Sequence, residues 1–346
     1  MTIDQIFSLA TKKGASDVHL IVGLPPILRI GGNLKQIKDS KKLSSSEVES
    51  LVYKILTEQQ KERFEREREL DLSYQGKNEF RFRVNCFFER GNIGLVARII
   101  PFKIPTMESL GMQEIIYDLV SEKQGLVLFT GPTGCGKSTS LAAIIESINQ
   151  ERSESIVTLE DPIEFVYTPK KSIIVQRQMG RDMLSFSEGL KHALRQDPNV
   201  LLVGEMRDLE TISAALTLAE TGHLVFATLH THSANQTIDR IVDIFPPYQQ
   251  EQIRLQLSLS LNAVIAQHLI PGAKESRTAV REIMINNHAI SNLIRENKIP
   301  QIRSVIQTSS DEGMLTRDQD LKRLYKEELI TKDVYQTYLE DGEGDE

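Results

Sequence analysis

The sequence contains no tryptophan and only two cysteines, Cys86 and Cys135. Two thiols cannot build a disulfide framework or a four-thiolate zinc site. No apolar run reaches the roughly 18 residues that a membrane-spanning helix needs. The opening MTIDQIFSLATKKG has no basic stretch followed by a long apolar one, so a secretion signal is not expected. Basic residues are outnumbered: 41 Lys plus Arg stand against 48 Asp plus Glu, a formal charge of −7. With no clear stripe of alternating basic and aromatic side chains, this argues against a nucleic-acid binder. What remains is a reduced, intracellular, soluble chain. At 346 residues, 40% hydrophobic and 26% charged, it has enough core for roughly two domains.

The first hundred residues read as mixed α and β. Val48, Leu51, Val52, Ile55 and Leu56 share one helical face, with Ser44 to Ser46 offering caps ahead of it. The charged stretch KERFEREREL, 61–70, reads as a solvated helix with opposite charges one turn apart. Phe80, Phe82, Val84, Cys86 and Phe88 then alternate as a half-buried strand, which puts Arg81 and Arg83 on the other face. A turn at 89–92 leads into a partner strand that carries Arg98. A short segment bracketed by Pro101 and Pro105 has no period and reads as a linker. After it, GLVLFT, SIVTLE, NVLLVGE and HLVFATLH alternate with helical stretches, the texture of a parallel sheet buried on both faces. From about residue 270 the pattern is helical, with helices expected over 314–326 and 331–339 and an acidic, frayed end. The expected division is therefore 1–100, a linker at 101–110, an α/β core over 111–270 and a helical region over 271–346.

Residues 131–138, GPTGCGKS, satisfy G-x-x-x-x-G-K-[ST] and lie between a predicted strand, 125–130, and a predicted helix, 137–149. Gly131, Gly134 and Gly136 let the backbone wrap closely around anionic oxygens, and the amides of the loop and the helix start point at phosphate. Pro132, Thr133, Cys135 and Thr139 complete the expected nucleotide-binding stretch. Lys137 can reach the β- and γ-phosphates, and the Ser138 hydroxyl is placed for Mg²⁺. ATP and Mg²⁺ are thus the expected ligands.

Binding alone is not hydrolysis. Acids at the carboxyl ends of neighbouring strands could orient water and hold the metal through its shell. Glu160, Asp161 and Glu164 follow one strand, and Glu205 follows another. His223 and His230 flank the strand at 224–229, and spacing alone leaves them open between structural hydrogen bonding and phosphate sensing. Arg81, Arg83 and Arg98 could be an ordinary exposed strand face, or could neutralise charge on a transferred phosphoryl group.

ASDVHL, GLPPILRI, FRFRVN, GPTGCGKSTS, LEDPIEF, ALRQDPNVLLVGEMRD, TGHLVFATLHT and AISNLIRE occur in order between residues 15 and 296, within a likeness that runs from about residue 3 to residue 330. Together they resemble the secretion ATPases, and within them the motors that retract type IV pili. The P-loop is specific by itself; the others gain their specificity from their order. The resemblance implies a PAS-like N-terminal α/β domain joined by a flexible linker to a RecA-like P-loop ATPase domain. It implies a homohexameric cytoplasmic motor at the inner face of the membrane, acting on a membrane-embedded pilus platform protein, with other pilus ATPases as further candidate partners. Glu164 corresponds to the glutamate that polarises the attacking water, and Glu205 to the Walker B glutamate that acts on magnesium through water. His223 and His230 correspond to the histidine box. Arg83 and Arg98 correspond to arginines brought over the nucleotide, whereas Arg81 has no counterpart.

Three positions depart from the pattern. Ser291 stands where arginine is usual, in a helix that serves retraction in the cell more than hydrolysis. His232 replaces a common threonine, and Cys86 a common alanine. The alternatives are a pilus-assembly or type II secretion ATPase, a ring-shaped nucleic-acid translocase, or a non-hydrolysing nucleotide-dependent module. Two distant cysteines and the length weigh against the first, the acidic charge against the second, and Lys137 with Glu164 and Glu205 against the third.

Overall fold

The computed structural model describes residues 1–76, 81–100, 103–273 and 277–340. Phe80, the proline–phenylalanine start of the linker (Pro101, Phe102) and the acidic end, 341–346, lie outside the described residues. The chain divides into two units. The first holds Met1–Lys103 together with Pro162–Val166, and the second holds Ile104–Asp161 and Tyr167–Glu346. Among the described residues, no helix is long and apolar enough to cross a membrane.

The first unit runs α1 (Ile3–Lys12), β1 (Asp17–Leu20), β2 (Ile27–Ile30), β3 (Asn33–Gln36), α2 (Ser45–Tyr53), α3 (Glu58–Glu67), β4 (Glu69–Gln75), β5 (Arg81–Glu89) and β6 (Asn92–Ile100). Its strands form one antiparallel sheet in the order β3-β2-β1-β6-β5-β4. Each helix start is fixed locally. Thr2 with Gln5, Ser44 with Glu47 and Thr57 with Gln60 form reciprocal capping boxes ahead of α1, α2 and α3. Val48, Leu51 and Val52 are the buried face of α2, while Ile55 and Leu56 pack on the core from the turn that follows it. Only Phe64 of α3 is buried, so its charged surface is solvated as the composition suggests. That helix stops at Arg68, in the left-handed region at φ 66°, and Glu69 and Leu70 already belong to β4.

In β5, Phe82, Val84 and Cys86 are buried and Arg83 is exposed, which is the expected alternation. The turn to β6 uses Arg90 and Gly91, both at positive φ, in a two-residue hairpin. Phe82 stacks on Phe7 of α1 at 4.1 Å between ring centroids, and both are almost fully buried.

The second unit runs α4 (Glu114–Ser121), β7 (Gly125–Thr130), α5 (Lys137–Glu151), β8 (Ser155–Glu160), β9 (Ile173–Gln178), α6 (Phe186–Ala193), β10 (Val200–Val203), α7 (Leu209–Glu220), β11 (Leu224–Thr228), α8 (Ala234–Asp243), α9 (Pro247–Ser260), β12 (Leu261–Pro271), β13 (Arg277–Ile285), α10 (His288–Arg295), α11 (Ile302–Thr308), α12 (Arg317–Lys326) and α13 (Lys332–Glu340). Its sheet has the order β13-β12-β7-β11-β10-β8-β9. All neighbours are parallel except β12 and β13. Every residue of β7, β10 and β11 is buried, which is why these strands read as unbroken apolar runs.

One expectation is corrected. The region from 271 onward is not wholly helical, because β13 forms an antiparallel edge strand that pairs with β12 from Ala263 to Pro271. Its charged Arg281 and Glu282 break the apolar pattern by which a strand is recognised, although Arg281 is buried. The helix expected over 314–326 begins at Arg317. A Thr316–Gln319 capping box sets its start there, and Leu315 bridges to Ile283 of β13.

The Phe7–Phe82 stack yields a direct test. Phe82→Ala should lower the stability of the first unit by about 3–5 kcal/mol. Amide exchange across β5 and β6 measures this, and a loss under about 1 kcal/mol would show that the pair is not central to that core.

Candidate nucleotide site

Residues 131–136 connect the carboxyl end of the buried central strand β7 to the first turn of α5. Gly131 has φ 134°, and a Cβ there would lie 2.2 Å from the Gln267 carbonyl oxygen. Only glycine lets the loop leave β7 this close to β12. Gly136, at φ 91°, is the N-cap of α5, and no side chain caps that helix start. Its amides are therefore left for an external acceptor. Thr133, Gly134 and Ser138 are exposed, Pro132 and Thr139 are half-buried, and Cys135 is buried with a free thiol.

Lys137 is only 8% exposed. Its Nζ donates to the carbonyls of Gly131 at 2.6 Å and Pro132 at 3.2 Å, and it lies 3.9 Å from the Cys135 sulfur. Burial pulls its pKa below the ordinary ammonium value, against the opposing influence of Cys135 and the Glu205 carboxylate. Burial also pushes the Cys135 thiol up, against the neighbouring Lys137.

Glu205 follows β10 by two residues, and His230 follows β11 by two. The two strands are neighbours, so their tips converge, and His230 Nε2 lies 2.9 Å from Glu205 Oε1. The Arg207 guanidinium donates to the same carboxylate oxygen. Glu205, Met206, Arg207, Leu229, His230, Thr231 and Arg240 line an open pocket at these tips. Burial raises the Glu205 pKa, but the hydrogen bond from Arg207 and the proximity of His230 and Arg207 outweigh it, and the net shift is downward.

The other sequence candidates fall in different places. Glu160 ends β8 and accepts from Thr158 Oγ1 at 2.7 Å and Gln176 Nε2 at 3.1 Å, a structural pairing within its own sheet. Asp161 is exposed beside it. Glu164 is half-buried in the short segment that groups with the first unit. His223 sits at the amino end of β11, the end away from the P-loop. Its Nδ1 lies 3.0 Å from the Leu218 carbonyl. His230 and His223 therefore occupy opposite ends of one strand, and within the second unit only His230 is brought to the loop end of the sheet.

In the first unit, Arg83 and Arg98 are direct cross-strand partners, exposed on the same sheet face. Arg98 Nε also donates to Asp17 Oδ1 at 3.0 Å, and Asp17 is buried. Arg81 lies one face-repeat further along β5, opposite Ile100.

Two residues behind the loop escaped the sequence reading. Gln267 Nε2 donates to the Cys135 carbonyl at 2.7 Å, and Arg281 Nε donates to Gln267 Oε1 at 3.0 Å. The signal in the sequence was the Gln267–His268 pair that interrupts the apolar run LNAVIAQHLI.

The loop fits a magnesium-bound nucleotide on the evidence of its own atoms. It has three glycines at positive φ, Gly131, Gly134 and Gly136, an uncapped helix start, a buried ammonium, and a hydroxyl and a carboxylate in Ser138 and Glu205. A mostly parallel sheet carrying this loop, with acidic and imidazole side chains at nearby strand tips, defines a P-loop nucleotide-binding protein.

The chain belongs to the Type II/IV secretion system protein family, which it matches over residues 1–297. It is 49% identical over 333 residues to the "Type IV pilus retractation ATPase PilT" of Pseudomonas aeruginosa, covering 96% of each chain. It is 46% identical over 320 residues to a "Twitching motility protein" of Neisseria gonorrhoeae, covering 92% of this chain and 85% of that one. Among solved structures, that of the pilus retraction motor PilT with bound ADP matches with a TM-score of 0.91 and 45% identity, over 97% of this chain and 96% of that one. The fold class read from the sequence, a PAS-like α/β domain followed by a RecA-like P-loop domain, agrees with these matches.

The depressed pKa of Glu205 has a definite sign. Its stabilising contribution is full above the ordinary carboxylate pKa of about 4.3 and is lost as the pH falls through the lower folded value. In thermal melts the Tm advantage of the parent protein over Glu205→Gln should be present at about pH 6 and vanish in stronger acid. A gap that widens on acidification would contradict the assigned pairing.

Proposed function

We propose that this protein is a motor ATPase that hydrolyses ATP to drive type IV pilus retraction, and hence twitching motility. The observation that carries the reading is the P-loop itself. Lys137 and the open α5 start lie at the same sheet end as Glu205 and His230. The full-length similarity to the retraction ATPase of Pseudomonas aeruginosa supplies the biological direction.

In this reading Gly131 to Thr139 bind the nucleotide, with Lys137 on its β- and γ-phosphates. Ser138, and Glu205 through water, would hold magnesium, which when bound neutralises phosphate charge. Glu164 polarises the attacking water. His230 links the Glu205 strand tip to the nucleotide site, a role supported by its 2.9 Å contact with that carboxylate. Arg83 and Arg98 bring positive charge to the phosphates. Like charges directly opposite each other on a sheet repel, so this placement favours an anion between them. His223 belongs to the same histidine pair and steadies the turn into β11 through the Leu218 carbonyl.

The domain boundaries in this reading are a PAS-like domain over 1–100, a hinge at 101–110, a RecA-like core over 111–270 and a C-terminal region over 271–346. Because arginine gains phosphate contacts only when the arginine-bearing domain closes on the nucleotide, ATP binds the closed state better and shifts the population towards it. Hydrolysis releases the closure. Six chains in a ring would pass such steps to a membrane-embedded pilus platform protein at the inner face of the cytoplasmic membrane. Ser291 donates to the Ser258 carbonyl of α9 at 2.9 Å and so fastens α10 to its neighbour.

Phosphate release tests the chemistry. Glu164→Gln should lower turnover by about 10²–10⁴ while nucleotide still binds. Undiminished turnover would remove Glu164 as the water-polarising group. Arg83→Ala and Arg98→Ala should each reduce kcat by at least about tenfold and change nucleotide affinity less. In cells, deleting the gene should leave more surface pili and abolish surface motility. Normal pilus number with normal motility would refute the retraction assignment.

A further inference from the structure

Behind the P-loop, a run of buried polar groups forms one connected chain within the second unit. The Gln267 side chain donates to the Cys135 carbonyl at 2.7 Å and accepts from Ser140 Oγ at 2.9 Å and Arg281 Nε at 3.0 Å. Arg281 extends its two remaining nitrogens the other way. Nη2 donates to the Leu110 carbonyl at 3.1 Å, and Nη1 donates to the Gly111 carbonyl at 3.0 Å. Asp320 accepts from the Arg281 amide at 2.8 Å and from Gln113 Nε2 at 3.2 Å, and it is paired with Arg323. Gln267, Arg281 and Asp320 are each 1% exposed or less.

A plain structural staple would not need this chemistry. Burying a guanidinium is costly, and apolar side chains of equal volume would hold β12 and β13 together at least as well. The geometry is also directional. Both ends of the P-loop rest on one residue: the Gln267 carbonyl closes the space at Gly131, and its amide nitrogen lies 3.0 Å from where a Gly136 Cβ would sit. The planar Arg281 fork then spans from that residue to the backbone of 110–111. That turn lies just past the point where the chain leaves its first unit. A shift of the Cys135 carbonyl, as the loop amides tighten on phosphate, has a rigid polar route to the linker end.

We infer that Gln267 and Arg281 are positioning residues that transmit the nucleotide state of the P-loop to residues 107–113. This rests on the nucleotide-binding reading above and adds to it a coupling between the loop and the linker end. The effector is a nucleoside diphosphate or triphosphate in the loop, and the responding element is the short turn at Glu108–Leu110 with the residues after it.

Hydrogen–deuterium exchange on the full chain, with and without saturating ADP and magnesium, tests the inference. The amides of Leu110, Gly111 and Met112 are bonded to the carbonyls of Thr106, Met107 and Glu108, so their exchange reports opening of this turn. ADP should slow exchange over 107–113 by about threefold or more in the parent protein. Gln267→Glu keeps the acceptor for Ser140 and Arg281 but loses the donor to Cys135. Arg281→Lys keeps the charge but loses the fork. In either variant, ADP should still protect the P-loop peptide while its effect on 107–113 disappears. A staple without coupling would raise exchange equally with and without ADP. If ADP protects the P-loop of the parent protein but leaves 107–113 unchanged, or if Gln267→Glu binds ADP and keeps the slowing, the coupling is refuted and the nucleotide site stands. If ADP does not protect the P-loop of the parent at all, the nucleotide reading falls and the coupling with it.

Discussion

The candidate site depends on one close approach. The Gln267 carbonyl of β12 occupies the space that any side chain at position 131 would need, so the loop leaving β7 must begin with glycine. That contact presses the P-loop against the neighbouring strand, which already lies parallel to β7. The loop can then turn at Gly136 and enter α5 with its first amides uncapped. Lys137, Ser138 and the helix start inherit their positions from this packing. The strand order places β11 beside β7 and β10 beside β11, so His230 and Glu205 arrive at the same end of the sheet.

Charge in the two units is arranged by different rules. In the second unit, Arg281 and Asp320 are buried among polar partners, and Glu205 is half-buried. Glu205 is held by Arg207 and His230, and Arg281 is close to Asp320 and Gln267. The Arg281–Asp320 set fixes geometry, because removing one partner leaves the other buried and unsatisfied. In the first unit, Arg83 and Arg98 stand exposed on an antiparallel sheet whose other face is the core, and Asp17 offsets part of their repulsion. The buried network favours precise positioning, whereas the exposed arginines remain available to an anionic group.

Much of this was legible in the sequence. The P-loop is a contiguous motif whose strand and helix context could be read directly, and the fully buried strands β7, β10 and β11 announced themselves as apolar runs. The alternation around Phe82, Val84 and Cys86 placed Arg83 on the outward face. The rest was hidden for physical reasons. β13 was missed because a buried arginine looks like a surface residue until its partners are known. Gln267 meets the loop from 132 residues away in sequence, and Arg281 reaches it only through Gln267, beyond the reach of any local pattern. His223 and His230 looked equivalent because both border one strand, yet five residues of extended chain carry them to opposite ends of the sheet. The membership of Pro162–Val166 in the first unit is also invisible to linear reading, since that segment is flanked on both sides by the second.

The folded-back ammonium of Lys137 bears on which anions the loop can select. Two of its three N–H donors already serve backbone carbonyls, so an anion that engages the ammonium fully must exchange those bonds for its own. A chain of phosphates engages the lysine and the free amides of α5 together, and thereby recovers what the swap gives up. Self-satisfaction of the resting lysine thus gives the ligand that reaches both the ammonium and the α5 amides the larger net return for displacing those carbonyls.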